Sequence, residues 1–216
     1  MTKSSQPIRS GAFTLIELAV VIVVIALLAV MVLPTLAKAK RREQHIGCIS
    51  NLKQVGLSFR IFANDNGEQY PFSVSTTNGG AKELVAPGAT FLQFRAMSNE
   101  LSTPYVLTCP ADRRSRASNW ASLTESNLSY FVGLDAKDAW PGALLSGDRN
   151  LSVNGVAVRS GLLELTTNSE VGWTAEMHRG AGNLVLGDGS VQLATTAKLT
   201  EQVRHQEIAT NRLLIP

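Results

Sequence analysis

The chain has 216 residues and a formal net charge of +3, from 20 Lys and Arg against 17 Asp and Glu, and it contains two cysteines. About 180 residues follow its one long apolar run, room for a single modest globular domain with a small core. The slight positive balance does not support nucleic-acid binding, and the absence of a Gly-x-Ser-x-Gly elbow, a phosphate loop or a His-Glu-x-x-His run argues against an enzyme.

In chain order the first element is Gly11-Ala12-Phe13-Thr14-Leu15-Ile16-Glu17-Leu18, continued by apolar residues to Leu33, with Glu17 the only acidic residue in the run. Residues 13–33 as a helix extend roughly 31 Å, enough to cross a hydrocarbon core. A carboxylate inside a bilayer is costly and calls for a partner. An amine created by cutting before Phe13 would supply one. Two plainer readings stand beside this: an uncleaved anchor, and an ordinary secretory signal cut near Ala37-Lys38-Ala39, which Glu17 and the length of the apolar run both oppose.

The stretch from Phe13 to Glu17, with a short basic leader before it and Pro34 after the apolar run, resembles the class III signal of type IV pilins and type II secretion pseudopilins. The resemblance implies that a prepilin peptidase removes residues 1–12 on the cytoplasmic face and methylates Phe13, making Glu17 the fifth residue of the mature chain. That family usually has Gly immediately before the cut, whereas here Ala12 holds that place and Gly11 lies one residue further back. Cutting after Gly11 would make Glu17 the sixth residue, so the Ala12/Phe13 bond is preferred. The implied partners are the peptidase, other pilin or pseudopilin subunits, the inner-membrane assembly platform with its motor, and the membrane itself. The implied location is a single pass of the inner membrane, with the head in the periplasm or an extracellular filament. Lys38, Lys40, Arg41 and Arg42 outnumber Lys3 and Arg9, and positive-inside counting alone would leave the C-terminal part in the cytoplasm. The resemblance implies the opposite orientation, with the basic run a solvated helix face near anionic lipid.

Helical periodicity continues beyond residue 37. Cys48, Leu52, Val55, Phe59 and Phe62 recur at spacings of four, three, four and three, which places them on one face, with Lys53, Gln54, Ser58 and Arg60 elsewhere. One helix over residues 13–64 would measure on the order of 75 Å. Pro34, which lacks an amide donor, should kink or loosen it, and Asn64-Asp65-Asn66-Gly67 should end it. Cys48 and Cys109 form either a disulfide, which closing a loop of about 60 residues would make worth roughly 4 kcal/mol, or two buried thiols.

A second resemblance rests on Cys48-Ile49-Ser50-Asn51-Leu52-Lys53-Gln54-Val55-Gly56-Leu57, Ala63-Asn64-Asp65-Asn66-Gly67, Tyr70-Pro71, Cys109-Pro110-Ala111-Asp112, Gly147-Asp148-Arg149-Asn150 and Asn211-Arg212-Leu213. Together with His178 followed after nine residues by Asp188-Gly189, these are similar to pilin-like proteins of planctomycetes and their relatives that carry a C-terminal His-x9-Asp-Gly motif. Candidate strands lie at 90–94, 106–109, 129–132, 143–145, 161–165 and 171–174, bounded by Gly, Pro, Asn and Ser clusters. Residues 183–187 and 190–193 form a hairpin around Asp188-Gly189, a dipeptide suited to a type I′ turn. Residues 198–210 form a terminal helix, after which Leu213 to Ile215 dock.

The expected fold is α+β and pilin-like: a long N-terminal helix, membrane-spanning in its first half, packed on a small antiparallel head, with a short C-terminal helix. Its expected divisions are a leader at 1–12, an assembly helix at 13–33, an amphipathic stalk at 34–66 and a β-rich head at 67–216. His178 and Asp188 read as a structural histidine and a turn former, with an ion or ligand site as the alternative; the chain has no dense oxygen-ligand loop of the calcium type. Asp148-Arg149 reads as a loop-ordering pair. No catalytic, cofactor or metal site is expected. The expected function is a structural subunit of a type II secretion or type IV pilus-like filament. The alternative is a membrane-tethered binding module that does not polymerise.

Overall fold

The computed structural model describes residues 14–205 and 208–216, so Gly11, Ala12 and Phe13 lie outside the described residues. Helix α1 (Leu15–Asp65) runs through Pro34 without interruption. Contacts divide the chain into two compact units at Arg42/Glu43. The boundary falls within α1, at neither Pro34 nor Gly67, because burial in the head begins along the helix after residue 42.

In the first unit α1 is apolar on every side as far as Leu36, before the basic run of Lys38, Lys40, Arg41 and Arg42. From Leu15 to Leu36 its large apolar side chains are exposed, and none of the apolar window is buried. A helix that is hydrophobic all round belongs in an apolar medium, and this one is long enough to cross a membrane.

In the second unit the expected stripe is the buried face of α1: Cys48, Leu52, Val55, Phe59 and Phe62 are all within the core. Ser58 is buried as well, because its hydroxyl donates back to Gln54 O (2.8 Å) and so needs no water. The helix ends as expected. Gly67 takes φ 63°, and Glu68 N donates to Ala63 O (2.8 Å), the six-residue closure of a Schellman motif.

Two expected strands are helical turns. Residues 90–94 belong to helix α2 (Thr90–Ala96), followed by the short α3 (Ser98–Leu101). The Glu125 carboxylate accepts from Thr90 N (2.9 Å) and Phe91 N (3.0 Å), capping α2 from a distant point in sequence. Residues 106–109 begin in a 3-10 turn (Pro104–Leu107), where Pro104 fixes the first φ and Thr103 Oγ1 accepts from Tyr105 N.

The main sheet has six antiparallel strands. In chain order these are β1 (Tyr130–Gly133), β2 (Leu144–Asp148), β5 (Gly161–Thr166), β7 (Ala181–Leu186), β8 (Val191–Thr195) and β9 (Thr210–Ile215), arranged β5-β9-β1-β2-β7-β8. A smaller sheet joins β3 (Leu151–Val153), β4 (Val156–Ala157) and β6 (Val171–Trp173) in the order β4-β3-β6. The terminal helix α4 (Thr196–Arg204) is shorter than expected, and Thr210–Ile215 is an interior strand between β1 and β5.

Strand alternation builds two cores in place of one. Tyr130, Val132, Leu145, Val185 and Leu214 pack with the α1 stripe, while Phe131, Leu144, Leu184, Leu186, Leu213 and Ile215 join Leu199 and Val203 of α4. The six-stranded sheet therefore has a buried layer on each face.

The β7–β8 connection is a hairpin, but not of type I′. Gly189 N donates to Leu186 O (2.8 Å) and Leu186 N to Ser190 O (3.0 Å), leaving Gly187, Asp188 and Gly189 as a three-residue loop. Only Gly189 has positive φ, at 80°, which is the G1-bulge form of this turn. A Cβ on Gly189 would also lie 3.0 Å from Arg60 Cγ of α1. Gly189→Val should therefore destabilise the head by about 1 to 3 kcal/mol, lowering its thermal midpoint by several degrees in the detergent-solubilised full chain. An unchanged midpoint would show that the turn tolerates a side chain.

Candidate functional site

Two features of the molecule bear on function: the head of the apolar helix, and a polar cluster in the core of the second unit. At the first, Thr14 and Glu17 form a reciprocal capping box. Glu17 N donates to Thr14 Oγ1 (3.3 Å), and the Glu17 carboxylate accepts from Thr14 N (2.9 Å) and Thr14 Oγ1 (2.7 Å). The Thr-x-x-Glu spacing is a local signal for this cap, and it gives Glu17 a role within its own chain that the sequence reasoning missed.

The second feature gathers four residues far apart in sequence. Cys48 comes from the buried face of α1, Cys109 from the segment after the 3-10 turn, Asp148 from the end of β2 and His178 from the loop before β7. One side-chain ligand atom from each lies within 4.8 Å of all the others. Among the described residues no second group of three or more His, Cys, Asp or Glu converges in this way.

The nearest separations are Cys48 Sγ to Asp148 Oδ1 (3.3 Å), Cys109 Sγ to His178 Nε2 (3.4 Å) and His178 Nε2 to Asp148 Oδ2 (3.4 Å). Outside these four stands a ring of partners. Asn183 donates to Asp148 Oδ2 from its backbone N (2.7 Å) and from Nδ2 (2.9 Å). Ala111 N donates to Cys109 Sγ (3.4 Å), the Tyr130 hydroxyl lies 3.4 Å from Cys48 Sγ, and His45 Nδ1 lies 3.4 Å from His178 Nδ1.

Burial governs the charge states here. It pushes the Asp148 carboxyl up to about 7, against the hydrogen bonds from Asn183 and Cys48, and it raises the Cys48 thiol far above its usual range, reinforced by Cys109 and Asp148. Burial together with neighbouring His45 lowers His178 to about 4. His178 is accordingly neutral at pH 7, and its contact with Asp148 is a polar contact and not an ion pair.

Arg149 fixes the loops that bring these residues together. Its Nε donates to Asp112 Oδ2 (2.8 Å), while Nη2 donates to Asp112 Oδ1 (2.9 Å) and Glu176 Oε1 (2.6 Å). Asp112 lies three residues after Cys109, and Glu176 two before His178. The expected loop-ordering role of Asp148-Arg149 is half of the arrangement: Arg149 orders two loops, and Asp148 turns into the cluster they carry.

The structure thus unites Cys48, Cys109 and His178, and it adds Asp148. It does not pair His178 with Asp188, which is exposed and accepts from Ser190 N (2.8 Å) as a turn former. Both cysteines are unbridged and buried in this structure, which is the arrangement of the buried-thiol alternative. Compared with models of known protein families, with curated proteins and with solved structures, the chain matches none.

Proposed function

We propose that the chain is a pilin-like structural subunit that assembles through its apolar N-terminal helix into a type II secretion or type IV pilus-like filament. The observation that carries this reading is a helix exposed and apolar on all sides from Leu15 to Leu36, with a single carboxylate, Glu17, at its head. Such a surface needs lipid or other helices around it. In the membrane it anchors one copy; in a filament, helices of many copies pack side by side. Glu17 would then exchange its Thr14 contacts for the amine of Phe13 in a neighbouring subunit, after a prepilin peptidase has removed residues 1–12 and methylated that amine. The inner-membrane platform and its motor would drive the transfer, and Phe13 to Glu17 fits the peptidase signal by resemblance.

The capping box makes the test sharper, because Gln serves in it as Glu does but carries no charge. Glu17→Gln and Glu17→Ala subunits, each competing with wild type in one cell, should both enter filaments about tenfold less often or worse, since a charge pair in a low-dielectric bundle is lost in each. Both should still accumulate as membrane-embedded protein with a folded head. Wild-type incorporation of Glu17→Gln would reduce Glu17 to a helix cap, whereas failure of wild type itself to enter filaments would favour a tether that does not polymerise.

A further inference from the structure

We propose that Cys48, Cys109, Asp148 and His178 bind one zinc ion as a closed, four-coordinate structural centre. This inference stands on the head alone and is independent of filament assembly. Zinc takes thiolate sulfur at about 2.3 Å and imidazole nitrogen or carboxylate oxygen at about 2.0 to 2.2 Å, so the edges of its coordination tetrahedron measure about 3.3 to 3.8 Å. Two separations, Cys48 Sγ to Asp148 Oδ1 (3.3 Å) and Cys109 Sγ to His178 Nε2 (3.4 Å), already lie at such edges, while the 3.4 Å contact of His178 is with the other Asp148 oxygen. The remaining separations stay within 4.8 Å, so closing the tetrahedron asks for side-chain shifts and no refolding of the backbone.

Each ligand also has an outer partner of the kind that holds metal ligands in place. Asn183 donates twice to Asp148 Oδ2 and leaves Oδ1 facing Cys48. Ala111 N–H points at Cys109 Sγ, and the Tyr130 hydroxyl stands beside Cys48 Sγ, where each stabilises a thiolate. His178 turns Nε2 inward and Nδ1 toward His45 Nδ1, so that an Nδ1–H given to His45 frees the Nε2 lone pair for the metal. Immediately after His178, Arg179 takes φ 57° and Gly180 φ 81°, a turn that leads the chain into β7.

The donor set selects the metal. Two sulfurs, one imidazole nitrogen and one carboxylate oxygen suit zinc and not calcium or magnesium, which take oxygen ligands in larger number. All four positions are filled by protein, and Cys48, Cys109 and Asp148 are buried, which describes a structural centre and not a catalytic one with an open position. On binding, each thiol releases its proton to solvent as its sulfur joins the metal, so the centre forms with loss of two protons from the cysteines. The ion would cross-link α1, the 109–112 segment, β2 and the loop before β7.

The full chain, purified in detergent and dialysed against metal-free buffer, should retain about one zinc per molecule by elemental mass spectrometry. After chelation, added Co(II) should give the intense visible bands of tetrahedral thiolate coordination. Cys109→Ser and His178→Ala should each lose the retained zinc. His45→Ala, which alters no ligand, should weaken affinity about 10- to 100-fold while still reaching one zinc per chain at excess metal; it keeps the test valid if a ligand variant fails to fold. The proposal is overturned by a folded wild-type chain without stoichiometric zinc whose thiols react freely in excess zinc, by a Cys48–Cys109 disulfide in its intact mass, or by zinc retained undiminished in the folded ligand variants.

Discussion

Arg149→Met should destabilise the head by about 3 to 5 kcal/mol, measured as denaturant unfolding of the detergent-solubilised chain followed by tryptophan fluorescence. The guanidinium is the principal charge partner of Asp112, whose side chain is fully buried. Methionine fills similar volume but leaves that carboxylate with only Ser129 Oγ (2.8 Å) and Arg114 N (3.3 Å). Burial opposes the charge on Asp112, yet the hydrogen bonds from Arg149 and Ser129 hold its carboxyl below its ordinary value. The sign follows from that lowering: the native carboxylate binds fewer protons than the unfolded one, so its stabilisation is present above the unfolded pKa and lost as pH falls through the lower, folded one. The gap between wild type and variant should therefore be full at pH 7 and shrink in acid below the carboxylate's ordinary range. Arg149→Met combined with Asp112→Leu should recover much of the loss, since a buried pair replaced by apolar groups is often neutral. A single-variant loss under about 1 kcal/mol would show that the pair behaves as a surface contact.

Phe59→Ala should cost a similar amount, about 3 to 5 kcal/mol, for a different reason. Phe59 is fully buried on α1, and its ring centroid lies 5.8 Å from that of Tyr70, 6.1 Å from Phe94 and 6.5 Å from Phe72. Removing the ring takes away both transfer energy and edge-to-face packing, and the cavity would open where α1, the 70–74 segment and α2 meet. Leu57→Ala, two residues away and 60% exposed, is the matched control and should shift stability by under about 0.5 kcal/mol. Equal effects of the two substitutions would refute the assignment of the buried face.

What was legible in the sequence followed the range of the physics involved. The extent of α1, its buried stripe and its end at Gly67 depend on residues within a few positions of one another, and each was found. Strands β1, β2, β5, β6, β7 and β8 were also foreseen from alternation and flanking turn residues. Residues 90–94 were misassigned because the cap on α2 comes from Glu125, and no window around Thr90 contains it. The type I′ expectation failed because the turn takes in Gly187, so that one residue of positive φ, not two, closes the hairpin. Strand β9 was missed because Thr210–Ile215 acquires its character from pairing with β1 and β5. The polar cluster followed the same rule. Cys48, Cys109, Asp148 and His178 were each singled out, but their convergence depends on four segments that only the folded sheet and helix bring together. The Thr14-x-x-Glu17 cap was the opposite case, a local signal overshadowed by the charge of Glu17.

The position of β9 also constrains the order in which the head can be completed. Val132 pairs with Leu214, and Leu162 pairs with the same residue from the other side, so Thr210–Ile215 is the wedge that joins β5 to the rest of the sheet. A chain delivered to its compartment from the N-terminal end would have β1 paired with β2, and β5 present without a partner, while that wedge was still missing. During the interval both β1 and β5 would offer unpaired backbone donors and acceptors to any neighbouring strand. Pairing across some eighty positions is slow compared with local helix formation, which lengthens the exposure. For copies concentrated side by side at a membrane, the hazard of an interrupted delivery is then edge-to-edge association of half-built sheets.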